Sequence, residues 1–188
     1  MDQNQIQEAV LTVFKDCDIH SFPIDCFNIV QHYGYRIIKY SSLSKKKKAA
    51  CLKLSEDACI IEDGLYYNDE MPDRRVRFSI MHELGHHILN SSEEANANHF
   101  ASYILAPRIA VHYSECKNNS DVANLFCISL ESADYAYQDY KRWRRIASYK
   151  MSSIDWDTYK HFWNEDCGKF VYSITYCYDC DELIYVGR

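Results

Sequence analysis

Apolar residues at Ile6, Ala9, Val10, Val13 and Phe14 recur every three or four positions, which predicts an amphipathic helix near the start of the chain. A second, shorter helix is expected over 23–33, with Pro23 near its start and Gly34 placed as its C-terminal cap. The period then changes. Short apolar runs at 35–40, 50–54 and 58–62, followed after the Asp63-Gly64 turn by another at 65–67, predict strands of a small antiparallel sheet. The tetra-lysine run at 45–48 falls between two of these runs and reads as a solvated loop or a charged edge that discourages strand pairing.

Helical spacing resumes at Asp73, a candidate N-cap, and continues to Asn90. Ser91 and Ser92 ahead of Glu94 can cap a further helix that runs to Leu105 and stops before Pro107. Beyond it, 121–127 and 130–145 read as shorter helices joined by a tight turn, and 169–176 with 182–186 as a terminal hairpin. There is no internal repeat.

Composition narrows the class. The chain has 188 residues, 47% hydrophobic and 26% charged, with 5 Gly and 3 Pro, enough apolar side chains for one packed core and too few breakers for a disordered chain. A formal charge of -6 argues against non-specific binding to nucleic acid or anionic membranes, which needs a positive field. No segment approaches the roughly 20 apolar residues of a membrane span, and the opening MDQNQIQEAV has neither the basic nor the apolar part of a secretion signal, so a cytoplasmic protein is expected. Nine Cys, an odd number scattered through regular elements, read as free and mostly buried thiols.

Within the helix expected over 73–90 stands His82-Glu83-Leu84-Gly85-His86, a His-Glu-x-x-His pattern. At 3.6 residues per turn, His82 and His86 stack on one face, so both imidazoles can reach one tetrahedral Zn²⁺. Glu83 is rotated about 100° from His82. That places its carboxylate beside the metal position, where it can take a proton from an attacking water and pass it to a leaving amine. Gly85 allows close backbone approach, and Phe78, Met81, Leu84, Ile88 and Leu89 offer the helix apolar anchors.

A catalytic zinc site needs a third protein ligand. The long form of the motif is excluded, because Leu89 and Ser92 stand where its Gly and third His would be. The next helix is the economical source, and Glu94 at its start is preferred, with Asn98 one turn on able to hydrogen-bond the outer nitrogen of a metal-bound imidazole. Glu93 and His99 compete for the same role.

The arrangement resembles the ImmA/IrrE-type zinc metallopeptidases, which look like minimal gluzincins. The matching residues are Tyr67-Asn68, then Arg75-x-x-Phe78 leading into His82-Glu83-Leu84-Gly85-His86. Glu94-x-x-Ala97-x-x-Phe100-Ala101-x-x-Ile104-Leu105-x-Pro107 follows, with a weaker continuation through Val122-Ala123-x-x-Phe126-x-Ile128-Ser129. The match departs at Asn96, where many relatives carry an acidic residue, and at Ala136, where a helix Arg is common. The resemblance implies that His82, His86 and Glu94 hold one zinc ion and that Glu83 is the base. It further implies a cytosolic endopeptidase acting on a protein, such as a helix-turn-helix transcriptional repressor of a mobile element, phage or stress system. A regulator that keeps the metal but binds and sequesters its partner without cutting it is the alternative.

The helix pair near 120–139 also has helix-turn-helix spacing. Its second helix, however, carries Glu131, Asp134 and Asp139 with no basic residue before Lys141, so phosphate contacts would be repelled and direct DNA binding is not expected. The cluster Lys141, Arg142, Arg144 and Arg145 with Trp143 reads as a solvated helix end that could serve docking. Near the terminus, Cys177-x-x-Cys180 is half of a zinc-ribbon pattern with Cys167 upstream. A filled site needs four ligands, so a hairpin turn or a degenerate ribbon is expected unless His161 completes the set.

The expected architecture is therefore α+β. A zincin-like metalloprotease domain over 1–118 would combine a small antiparallel sheet, the His-Glu-x-x-His helix and the Glu94 helix, with a helical region over 119–188 ending in a hairpin and packed on the same core.

Overall fold

A computed structural model describes residues 1–147 and 150–188. It is α+β and divides into two compact units, Met1–Ala9 with Asp25–Ile104, and Val10–Ile24 with Leu105–Arg188. The boundary expected between 118 and 119 lies inside the second unit.

Helix α1 (Gln3–Asp16) buries Ile6, Val10, Val13 and Phe14, the stripe its spacing predicts. Helix α2 (Cys26–His32) starts later than Pro23. Asp25 is its N-cap, the carboxylate accepting from the backbone N–H groups of Phe27 and Asn28. It ends in a Schellman turn. Gly34 sits at φ +85, its N–H donating to Gln31 O, while Tyr35 N–H donates to Val30 O.

Strand β1 (Arg36–Lys39) leads through a 3-10 turn at Tyr40–Ser42 into helix α3 (Lys45–Leu54). Two expectations fail here. The lysine run is the first turn of a helix rather than a loop, and 50–54 is its last turn rather than a strand. A five-residue apolar run does not by itself distinguish strand from helix. Ser44 caps the helix through Lys47 N–H, and lysine and alanine both favour helix, which outweighs the unfavourable placement of cations at a helix start. Lys48 pairs with Glu70 at 2.8 Å.

Strands β2 (Ala58–Ile61) and β3 (Gly64–Tyr67) form an antiparallel hairpin, and β1 joins β3 in parallel, giving the order β1-β3-β2. The sheet is thus mixed rather than antiparallel. β1 and β2 run antiparallel, so the link through α3 carries the chain past one strand position at the same end of the sheet, and β3, returning between the two, lies parallel to β1. This order leaves β2 as an edge strand.

Helix α4 (Asp73–Ile88) packs against β2, β3 and α2. Its buried face is Val76, Ile80, Met81 and Leu84, with Gly85, while Phe78 and Ile88 are only half-buried. Each fully buried leucine or isoleucine on such a face contributes about 1.5–3 kcal/mol. Helix α5 (Glu94–Leu105) buries Ala97, Phe100, Ala101 and Ile104 at helical spacing.

The second unit contains helices α6 (Arg108–Tyr113), α7 (Asn119–Leu125), α8 (Leu130–Ala147) and α9 (Ser153–Phe162), then strands β4 (Trp163–Asn164), β5 (Lys169–Cys177) and β6 (Glu182–Gly187) in the order β4-β5-β6. Its core is aromatic, with Phe22 packed on Phe126 and Phe162, and Phe170 on Tyr113. Trp143 does not join a surface basic cluster. It is buried and donates Nε1–H to Asp155 at 2.9 Å, while Arg108 reaches the same carboxylate at 3.0 Å. Among the described residues, no helix is long and apolar enough to cross a membrane.

Candidate metal centre

His82 and His86 lie one turn apart in the C-terminal half of α4, and Glu94 opens α5. The reversal between the two helices is local. Asn90 adopts φ 45, its N–H donating to His87 O and that of Ser91 to His86 O, a Schellman turn with Asn in the left-handed position that favours glycine. Ser91 Oγ then accepts from the backbone N–H of Glu93 and from Asn96 Nδ2, which orders the start of α5.

The three side chains converge. His82 Nε2 is 3.1 Å from His86 Nε2, and the Glu94 carboxylate lies 3.1 Å from the first and 3.4 Å from the second. Donors around a tetrahedral ion at 2.0–2.1 Å are separated by about 3.3 Å, so this triangle has the dimensions of one face of such a site. Among the described residues, His82, His86 and Glu94 are the group of His, Cys, Asp or Glu side chains that could hold a metal ion. The competitors are not part of it: Glu93 accepts from Asn96 Nδ2 at 2.8 Å, and His99 stands outside the group.

The outer nitrogens show that the rings are oriented for this. His86 Nδ1 lies 2.7 Å from Ser91 O, and His82 Nδ1 lies 2.9 Å from Asn98 Oδ1. A carbonyl oxygen only accepts, so both Nδ1 atoms carry the proton and both Nε2 lone pairs face the centre. The macrodipoles agree, since the negative end of α4 approaches the cation position and the positive end of α5 carries the Glu94 carboxylate. The imidazoles form the wall, with side chains 15% and 19% exposed, while Glu94 at 75% stands on the open side. The donor set and its supports fit a divalent cation.

Glu83 is half-buried next to this group. Burial raises its carboxyl above the usual range and the nearby Glu94 adds to this, while His86 and the backbone N–H of Ile60 pull it back down. The Ile60 contact matters structurally because it puts Glu83 at the outer edge of β2. Behind that edge, the Tyr40 hydroxyl donates to Ser55 O and lies 3.5 Å from Cys59 Sγ, in a cluster with Cys51. Burial pushes up both the Tyr40 hydroxyl and the Cys59 thiol, so neither is an available nucleophile.

The sequence points to Glu94 and to Asn98 as a partner for a metal-bound imidazole, and the structure makes that imidazole His82. It missed the Ser91 carbonyl and the Ile60 N–H, which are backbone groups. The one available signal was Asn90, a residue that tolerates the left-handed turn. Elsewhere, none of the nine cysteines is in a disulfide, and Cys26, Cys51 and Cys59 are the buried ones. His161 donates Nε2–H to Ile19 O and stacks on His20, so it does not complete a site with Cys177 and Cys180.

No curated protein matches the chain. A family model described as the IrrE N-terminal-like domain, a peptidase family, matches residues 31–138, an interval that includes His82, Glu83, His86 and Glu94. With more than half of its length matched, the chain belongs to the IrrE N-terminal-like peptidase family.

Proposed function

We propose that the chain is a zinc-dependent, gluzincin-like endopeptidase that hydrolyses peptide bonds of a protein substrate in the cytoplasm. The observation that carries this reading is the convergence of His82, His86 and Glu94 at 3.1–3.4 Å, with Glu83 beside them at the edge of β2. His82 and His86 would hold Zn²⁺ through Nε2 and Glu94 through its carboxylate, the two-His, one-Glu set of hydrolytic zinc sites. When bound, the ion supplies a Lewis acid that polarises the scissile carbonyl and raises the acidity of a water molecule. Glu83 accepts the proton of the attacking water on its carboxylate and returns it to the leaving nitrogen. Asn98 and Ser91 keep the protons of His82 and His86 on Nδ1, away from the reacting atoms.

The substrate we favour, on the family resemblance, is a helix-turn-helix repressor encoded beside this protein. Direct DNA binding is not part of the reading, given Glu131, Asp134 and Asp139 on α8. Incubation of the zinc-loaded protein with the neighbouring regulator, followed by mass analysis, tests it. Discrete fragments with wild type and none with Glu83→Gln, at equal zinc content, are expected. An intact regulator bound stoichiometrically by both proteins would replace this reading with sequestration.

A further inference from the structure

The C-terminal hairpin of the second unit carries a pair of thiol ligands. Strand β5 ends at Cys177, which pairs with Glu182 of β6, so Tyr178, Asp179, Cys180 and Asp181 form the tip of the hairpin. Asp181 turns the chain at φ 59, and the Tyr176 hydroxyl donates to its carboxylate. Within this tip, the Cys180 thiol and the backbone N–H groups of Cys180 and Asp179 hydrogen-bond to the Cys177 sulfur, which holds that thiol below its usual range. Two cysteine sulfurs brought together at one hairpin tip make a ligand pair suited to a soft cation.

A tetrahedral thiolate site needs four ligands, and the tip supplies two. Cys167 cannot help, because it precedes β5 while Cys177 ends it, and a nine-residue strand separates them by more than about 25 Å. His161 is committed to Ile19 O. We propose that Cys177 and Cys180 form half of a zinc site that is completed by the same pair from a second copy of this chain, joining two hairpin tips around one ion. A two-fold axis through the ion makes the two halves equivalent.

Two features of the same hairpin support that occupant. Strand β6 is the outer strand of its sheet and exposes Leu183, Ile184, Tyr185 and Val186, with Tyr176 and Tyr178 exposed nearby, an apolar surface that an identical hairpin would cover. Each tip also carries Asp179, Asp181 and Glu182. Two such tips repel one another unless a cation lies between them, so the association is metal-dependent rather than permanent.

The test is a zinc titration of the reduced full chain, followed by sedimentation velocity and metal analysis. A dimer that appears with zinc and holds about one and a half ions per chain is expected, one at each His82 site and one shared. Cys177→Ser/Cys180→Ser should remain monomeric and hold about one ion per chain. Without any substitution, zinc should protect Cys177 and Cys180 from alkylation at protein concentrations that give dimer and not on dilution. The proposal is overturned by a monomer at all zinc levels, by a monomer holding a full second ion, by a Cys177–Cys180 disulfide under these reducing conditions, or by a dimer that survives the double substitution. None of these results bears on the peptidase reading, which rests on other residues.

Discussion

Asn98 on α5 accepts the Nδ1 proton of His82 on α4 across 2.9 Å, so the helix that supplies Glu94 also sets the tautomer of a ligand on its neighbour. One turn of α5 thereby contributes twice to the same centre, once by a carboxylate facing it and once by an amide behind it.

Asn98→Ala should therefore weaken metal binding by about 10–100-fold with little change in helix content. Asn98→Asp, which keeps the acceptor, should restore it. Competition against a chromophoric chelator measures both, and equal affinities for wild type and Asn98→Ala would remove Asn98 from the site.

Gly85 marks the contact between the same two helices. A Cβ at this position would lie 2.9 Å from Phe100 Cδ1 and 3.2 Å from Phe100 Cβ. The second contact is close to the backbone and does not yield to a simple ring rotation. Overpacking of about 1–3 kcal/mol then exceeds the gain of roughly 1 kcal/mol in helix propensity. Gly85→Ala should lower the melting temperature and, by displacing α5, the metal affinity. A melting temperature at or above that of wild type would contradict this.

In the second unit, Asp155 is buried and accepts from Arg108, Trp143 Nε1 and Ser152 Oγ. Asp155→Ala leaves Arg108 charged, 13% exposed and without this carboxylate, a change that costs about 3–5 kcal/mol. Urea unfolding followed by tryptophan fluorescence reads the loss. A decrease below about 1 kcal/mol would show that the network is not holding this unit together.

Two histidines of that unit make stability depend on pH. Burial lowers the His112 value, with Arg144 and Arg188 adding to it. Burial likewise lowers that of His161, with His20 and Lys15 adding and the Ile19 hydrogen bond opposing. The unfolded chain, titrating near the ordinary value of about 6.5, binds protons that the folded chain excludes, so stability rises with pH through this region. The contribution is complete above about pH 6.5 and is lost as the pH falls towards the depressed folded values. The melting temperature of chelator-treated protein should drop between about pH 7 and pH 5.5. His112→Phe should flatten that slope, since the buried Nδ1 has no hydrogen-bond partner among the described residues. Identical slopes for the two proteins would remove His112 as a source.

What could be read from the chain alone was whatever depends on neighbours a few residues apart. The four-residue interval between His82 and His86 puts two imidazoles on one helical face in any surroundings. The capping serines before Glu94 locate a helix start, and the stripe on α1 follows from its period. The choice of Glu94 over Glu93 and His99 rested on the same local logic, and the geometry groups Glu94 with the two histidines. Local signals failed where two local structures were equally available, as at 45–54, which a serine cap and helix-favouring lysines turned into α3.

Contacts between distant segments were decided only by the tertiary structure. Nothing near Arg36 announces that β1 runs parallel to β3, because that depends on β3 returning between β1 and β2. The edge position of β2 follows from this order, and with it the place of Glu83 beside the Ile60 N–H. The Ser91 carbonyl that orients His86 belongs to a backbone turn and has no side-chain signature, and the thiol contact between Cys177 and Cys180 needs the hairpin to be folded. Periodicity and capping are set by bonds within a turn or two of chain, whereas strand order and polar partners come from the packing that satisfies many segments at once.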